Sequence, residues 1–98
     1  MPQGLLPELE TDVIRAMKGD AHAFQTLVDH FQPSIYRLVY YRVQSEMDAQ
    51  DLTQEIFITA MNRIDHINEP ATFKSWLYTI AVNKVRDYLR RKRFFGLF

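Results

Sequence analysis

Asp48, Asp51 and Glu55 stand three and four residues apart within DAQDLTQEIFITAMNRI. On a helix that spacing places all three on one side. Grouped carboxylates can act as general acid and base, or hold a hard cation. Neither chemistry is completed here. His22 and His30 are eight residues apart and His66 falls in a separate segment, so no histidine joins the acids. The chain has no cysteine. It also lacks a glycine-rich phosphate loop, an HExxH pair and a nucleophile elbow. No catalytic residue, metal ligand, cofactor or small-molecule substrate is expected.

A second set of side chains offers different chemistry. In SWLYTIAVNKVRDYLRRKRFF, successive residues of a helix are 100° apart. Ser75, Thr79, Val82, Arg86, Arg90 and Arg93 then share a side, with Asn83 beside them. Hydroxyls, an amide and three guanidiniums suit phosphates and base edges. The other side carries Phe73, Trp76, Leu77, Ile80, Ala81 and Tyr88, a core face. Lys84 falls near its centre. It either snorkels at the bundle's edge or marks where the helix leaves the bundle.

That basic helix sits in a chain of zero formal charge. Residues 1–71 carry five basic side chains against eleven acids, and residues 72–98 carry seven against one. The bland reading is a solvated basic tail. The sharper one is two surfaces for two partners, one acidic and one basic.

The elements that position these groups read as helix throughout. Glycine is scarce and no β-branched stretch alternates as a strand would. The expected fold is all-α, a compact bundle of about four helices. A short first helix runs from about Thr11 to Lys18, capped by Thr11 or Asp12 and ended by Gly19. Asp20 caps a second, with Ala23, Phe24, Leu27, Val28, Phe31, Ile35, Leu38 and Val39 at helical spacing. Pro33 inside it predicts a kink or two abutting helices. Asp48 caps a third helix, about Ala49 to Arg63. Pro70 breaks the loop that follows, and Thr72 caps a fourth helix reaching about Arg93. The domain is expected over 10–93, after a flexible N-terminus at 1–9. Residues 94–98 would be the start of a linker or the end of an expressed fragment.

The third helix buries Leu52, Ile56, Ala60 and Ile64. Its other side collects Asp51, Gln54, Glu55, Ile58, Met61 and Asn62. Two apolar residues one turn apart and rimmed by carboxylates suit a small protein-docking surface. A solvated face or a secondary core contact would show the same pattern.

Three separated segments carry a resemblance. KGDAHAFQTLVDHF, DAQDLTQEIFITAMNRID and FKSWLYTIAVNKVRDYLRRKR agree in order and spacing with region 2 of the sigma-70 family. The chain most resembles the extracytoplasmic-function (ECF) group of bacterial sigma factors, over about residues 10–93. The resemblance implies docking on the clamp helices of the largest subunit of core RNA polymerase through Asp51, Gln54, Glu55, Ile58 and Met61. It implies contact with the non-template strand of the −10 promoter element by the fourth helix and the loop before it. One base would be flipped into a pocket of that loop, residues 65–71, where His66 and Asn68 can hydrogen-bond an edge. Ser75, Tyr78, Thr79, Asn83, Arg86, Arg90 and Arg93 complete the DNA face. Trp76 also matches the family but is expected to pack inside. An anti-sigma factor is a further implied partner. The second domain of a full ECF factor, region 4, has no counterpart here.

Other classes fit less well. A small helical DNA-binding regulator would need a tight helix-turn-helix with basic residues at the start of its recognition helix. Here the loop is long and the cations lie at the helix's far end. RRKRFFGLF could instead favour an anionic membrane surface. No apolar run approaches the roughly 20 residues of a membrane span, and MPQGLLPELE lacks the basic start of a secretory signal. The absence of cysteine suits the cytoplasm.

Overall fold

Four helices follow one another in the computed structural model, which describes residues 5–96. They are α1 Pro7–Met17, α2 Ala21–Val43, α3 Glu46–Arg63 and α4 Phe73–Gly96. The all-α expectation holds, with no strand among the described residues. The first helix begins at Pro7 rather than Thr11. Proline suits the first turn, where its missing N–H would have no partner anyway, and Leu9 is already buried. Residues 7–9 thus form the first turn of α1 rather than a flexible lead-in. Residues 1–4 of that lead-in lie outside the described residues. Neither Thr11 nor Asp12 is the cap. Thr11 Oγ1 donates to the Pro7 carbonyl at 3.1 Å from inside the helix.

Gly19 ends α1 as expected, with φ at +98°, a region costly for any residue bearing a Cβ. Its N–H bonds the Ala16 carbonyl at 3.0 Å, and the Asp20 N–H bonds that of Arg15 at 3.1 Å. These bonds satisfy carbonyls that the helix leaves open. Asp20 then caps α2, its Oδ1 accepting from the Ala23 N–H at 3.1 Å.

Helix α2 is a single 23-residue helix that continues through Pro33 rather than splitting there. Pro33 and Asp29 are both exposed, so the bond that proline cannot make lies on the wet side. Gln44, at φ 56°, closes α2 with its N–H on the Tyr40 carbonyl. The next helix starts earlier than expected, because Ser45 rather than Asp48 is the cap. Ser45 Oγ accepts from the Asp48 N–H at 3.3 Å.

Helix α2 packs against the other three, and α3 packs against α4. Fully buried side chains from all four helices meet in the core, among them Val13, Leu27, Ile35, Ile56, Phe73 and Leu77. Leu52, Ile56, Ala60 and Ile64 are buried as expected, while Val28 and Leu38 are half-buried. On α4, Phe73, Leu77 and Ala81 are buried, and Trp76, Ile80 and Tyr88 are half-buried at the core's margin. Trp76 keeps its ring 5.8 Å from that of Phe73. Val85 extends the buried stripe by one turn. Lys84 is half-buried in a shallow groove with Ile80 and Asp87, its stem along the edge of the bundle.

The connection before α4 is more ordered than an open loop. It makes two 3₁₀ turns, Ile64–His66 and Pro70–Thr72, and α1 packs against both. Ile67, between them, is buried. Thr72 does not cap α4 with its side chain. Its hydroxyl donates to the Glu69 carbonyl at 2.7 Å, and α4 grows directly out of the second turn. The helix runs on past Arg93 to Gly96, and residues 97–98 lie outside the described residues. No described helix is long and apolar enough to cross a membrane.

Candidate functional site

The acidic face is built by α3. Its buried stripe points Leu52, Ile56 and Ala60 at the core, so Asp51, Gln54 and Glu55 face out. Ile58 and Met61 are 49% and 52% exposed, a large apolar area for two residues with no core role. Asp51, Gln54, Ile58 and Met61 line one groove of about 540 Å³ between α2 and α3. Glu55 is exposed but does not line it.

The far wall of the groove comes from α2, through Gln25, Val28, Gln32 and Tyr36. These residues escaped the sequence reading. The helical spacing of α2 places Val28 with the core, and the pairing of α2 with α3 that leaves its edge in the groove is a tertiary fact. Thr53 also lines the groove. Its buried hydroxyl has no hydrogen-bond partner among the described residues. The groove offers apolar contact ringed by amides and a carboxylate, a surface for a protein partner with matching cations and apolar side chains.

The basic face belongs to α4 and the 3₁₀ turns. Ser75, Thr79, Asn83, Arg86, Arg90 and Arg93 are exposed and Tyr78 is half-exposed. Tyr78 is the wall shared by two depressions. One, of about 230 Å³, is completed by Ala71, Lys74 and Ser75. The other, of about 330 Å³, is completed by Thr79, Val82, Asn83 and Arg86. Lys74 is a residue that sequence reasoning missed, although it lies one turn before Tyr78. His66 and Asn68 are exposed, but neither lines these depressions. His66 Nε2 lies 3.8 Å from Asp65 Oδ1 instead.

Two hydroxyls on this face are already committed as donors. Ser75 Oγ donates to the Thr72 carbonyl at 3.1 Å, and Thr79 Oγ1 donates to that of Ser75 at 2.9 Å. Outward they present acceptor lone pairs, which suit base amino groups better than phosphates. The groups on this face that suit phosphates are the cations. Arg90 is partly occupied, with Nη1 3.8 Å from Asp87 Oδ1 one turn back.

The four helices thus present two exposed features, a groove edged by Asp51 between α2 and α3 and a basic face on α4 walled by Tyr78. The family model for sigma-70 region 2 matches residues 27–95. The chain is 42% identical over 83 residues to the ECF RNA polymerase sigma factor BldN of Streptomyces coelicolor, covering 84% of this chain and 31% of that protein. Among solved structures, it is similar to an engineered region 2 of sigmaE in complex with GTAAAA. That match has a TM-score of 0.79 at 38% identity and covers 89% of this chain and 90% of the other. It is also similar to a chain of the RsbN–BldN complex, with a TM-score of 0.73 at 41% identity over 81% of this chain and 58% of that one. The chain belongs to the sigma-70 region 2 family, within its ECF group. It spans between 31% and 41% of the length of the curated relatives it matches.

Proposed function

We propose that this chain is the domain of an ECF sigma factor that docks on core RNA polymerase and recognises the −10 promoter element during transcription initiation. The observation that carries this reading is the likeness, over nine-tenths of both chains, to a region 2 held in complex with the single sequence GTAAAA. In this reading Asp51, Gln54, Glu55, Ile58 and Met61 meet the clamp helices of the polymerase. Tyr78, Asn83 and the depressions beside them meet bases of the non-template strand. Arg86, Arg90 and Arg93 hold its phosphates. His66, at the end of the first 3₁₀ turn, and Asn68, in the bend between the two turns, edge the base pocket. The protein acts in the cytoplasm, where the polymerase is, and does no catalysis of its own. An anti-sigma factor would compete for these same faces. BldN held in complex with RsbN supports a protein partner of that kind.

The test is binding to core RNA polymerase by wild type and by Glu55→Lys. Glu55 is exposed, so the helix should survive the change. Charge reversal at a docking face should weaken binding by more than about tenfold with unchanged helicity. Equal affinity for the polymerase would remove the docking assignment. Strand binding without any polymerase binding would favour a free-standing DNA-binding regulator.

A further inference from the structure

Val85 is the last buried side chain of α4. Eleven residues of helix follow it, about 16 Å at 1.5 Å per residue. They include Arg86, Arg90, Arg91, Lys92 and Arg93 against one acid, Asp87. Like charges three and four residues apart work against a helix. Among the described residues beyond Val85, only Tyr88 and Leu89 are half-buried. A segment so charged and so little packed should fray unless something ties it down.

One tie is present. The Tyr88 hydroxyl donates to the Asp48 carboxylate on α3, across forty residues of sequence. Every other side-chain hydrogen bond described spans at most four residues. Lys92, one turn on, approaches the same phenol oxygen at 3.3 Å and lies 5.7 Å from the ring centroid. Asp48 is itself fixed, because Ser45 Oγ takes its N–H and it stands in the acidic first turn of α3. There a carboxylate is favoured by the helix dipole.

We propose that Asp48, Tyr88 and Lys92 form a clasp that fixes the course of the basic end of α4 against α3, making Tyr88 a positioning residue for binding of the nucleic-acid strand. The clasp touches no DNA in this scheme. It sets the direction in which Arg86, Arg90 and Arg93 project, so the cations meet the strand without first being ordered. The proposal rests on the promoter reading for its consequence, though its geometry stands alone.

The experiment uses the whole chain as wild type, Tyr88→Phe, Asp48→Ala, the double variant and Asp48→Asn. Phenylalanine keeps the ring and loses only the hydroxyl. Amide hydrogen exchange over residues 86–96 should rise about fivefold in Tyr88→Phe and Asp48→Ala, the scale of one lost hydrogen bond. The double variant should be no worse than either, and Asp48→Asn, which keeps an acceptor oxygen, should restore much of the protection. Affinity for a labelled −10 non-template strand should fall in parallel, while the melting of the bundle moves little. Unchanged exchange, or additive losses in the double variant, would overturn the clasp. Faster exchange with unchanged strand affinity would overturn its positioning role. If wild type itself fails to bind the strand while exchange responds as described, the promoter reading fails and the clasp stands.

Discussion

The rings of Phe31 on α2 and Phe73 on α4 pack 5.5 Å apart at 53°, and Phe73 has no solvent exposure. Phe73 is also the first residue of α4, directly after the second 3₁₀ turn. The same contact therefore closes the core and fixes where the connection at 64–72 ends. Replacing Phe73 with alanine should cost about 3–5 kcal/mol, the usual range for deleting a buried phenyl group. Urea denaturation followed by circular dichroism reads that loss. Phe73→Leu should cost clearly less, since it leaves a smaller void.

Ile67 anchors the middle of that connection. Residues on either side of it, His66 and Asn68, are exposed. A graft that replaces 65–71 but keeps Ile67 should change which base is preferred at one −10 position, with polymerase affinity unchanged. Competition binding with strands altered one base at a time would show it. Preference that survives the graft would move the pocket to the Lys74–Ser75–Tyr78 depression.

Thr53 is the one buried polar side chain with an unpartnered oxygen among the described residues. Valine has nearly its shape and no hydroxyl to desolvate. Thr53→Val should leave the fold intact and raise stability by about 0.5–2 kcal/mol. A drop in melting temperature would mean that the hydroxyl has a partner in solution.

Much of this architecture was legible in the residues. Spacing of Leu52, Ile56, Ala60 and Ile64 picked out the buried stripe of α3, and with it the exposure of Ile58 and Met61. Gly19 and Asp20 carried local chemistry strong enough to place one turn correctly. Boundaries set by competing caps were less legible. Ser45 and Asp48 are both good caps, and Asp48 is claimed by Tyr88, a contact that no local pattern announces. Thr72 failed as a cap for a similar reason, since its hydroxyl serves the turn behind it. The α2 wall of the groove beside Ile58 and Met61 depends on how two helices pair, which periodicity within either one cannot show.

The phenol of Tyr88 is held above the ordinary tyrosine range, chiefly because its proton is donated to Asp48, and partly by burial. Lys92 pulls the other way. A group whose pKa is raised on folding stabilises the fold below its unfolded value, and that contribution is lost as pH rises through the folded one. Ultraviolet titration should therefore show one of the five tyrosines ionising late, and Tyr88→Phe should remove that component. The melting temperature of the variant should fall less than that of wild type as pH climbs past the usual tyrosine range. Identical alkaline profiles would mean the phenol is free.

Strand binding should divide between charge and base reading along α4. With about four cations near phosphates, log affinity against log salt should slope at roughly −3, taking −0.7 per phosphate for single strands. Arg86, Arg90 and Arg93 are the exposed guanidiniums on the face, with Arg91 and Lys92 beside them. Removing Arg86 should flatten the slope by about one contact and weaken every sequence alike. Arg90 is shared with Asp87, so Arg90→Ala should do less and Asp87→Asn should strengthen binding slightly. Asn83 shares a depression with Tyr78 and Arg86. An amide there can pair with a base edge, so Asn83→Ala should weaken the preferred −10 strand more than a scrambled one and leave the slope unchanged. Fluorescence anisotropy of labelled strands across a salt series separates the two effects. Equal losses on both strands for Asn83→Ala would assign that residue to the backbone. An affinity indifferent to salt would leave the charge gathered at the end of α4 with no part in holding the strand.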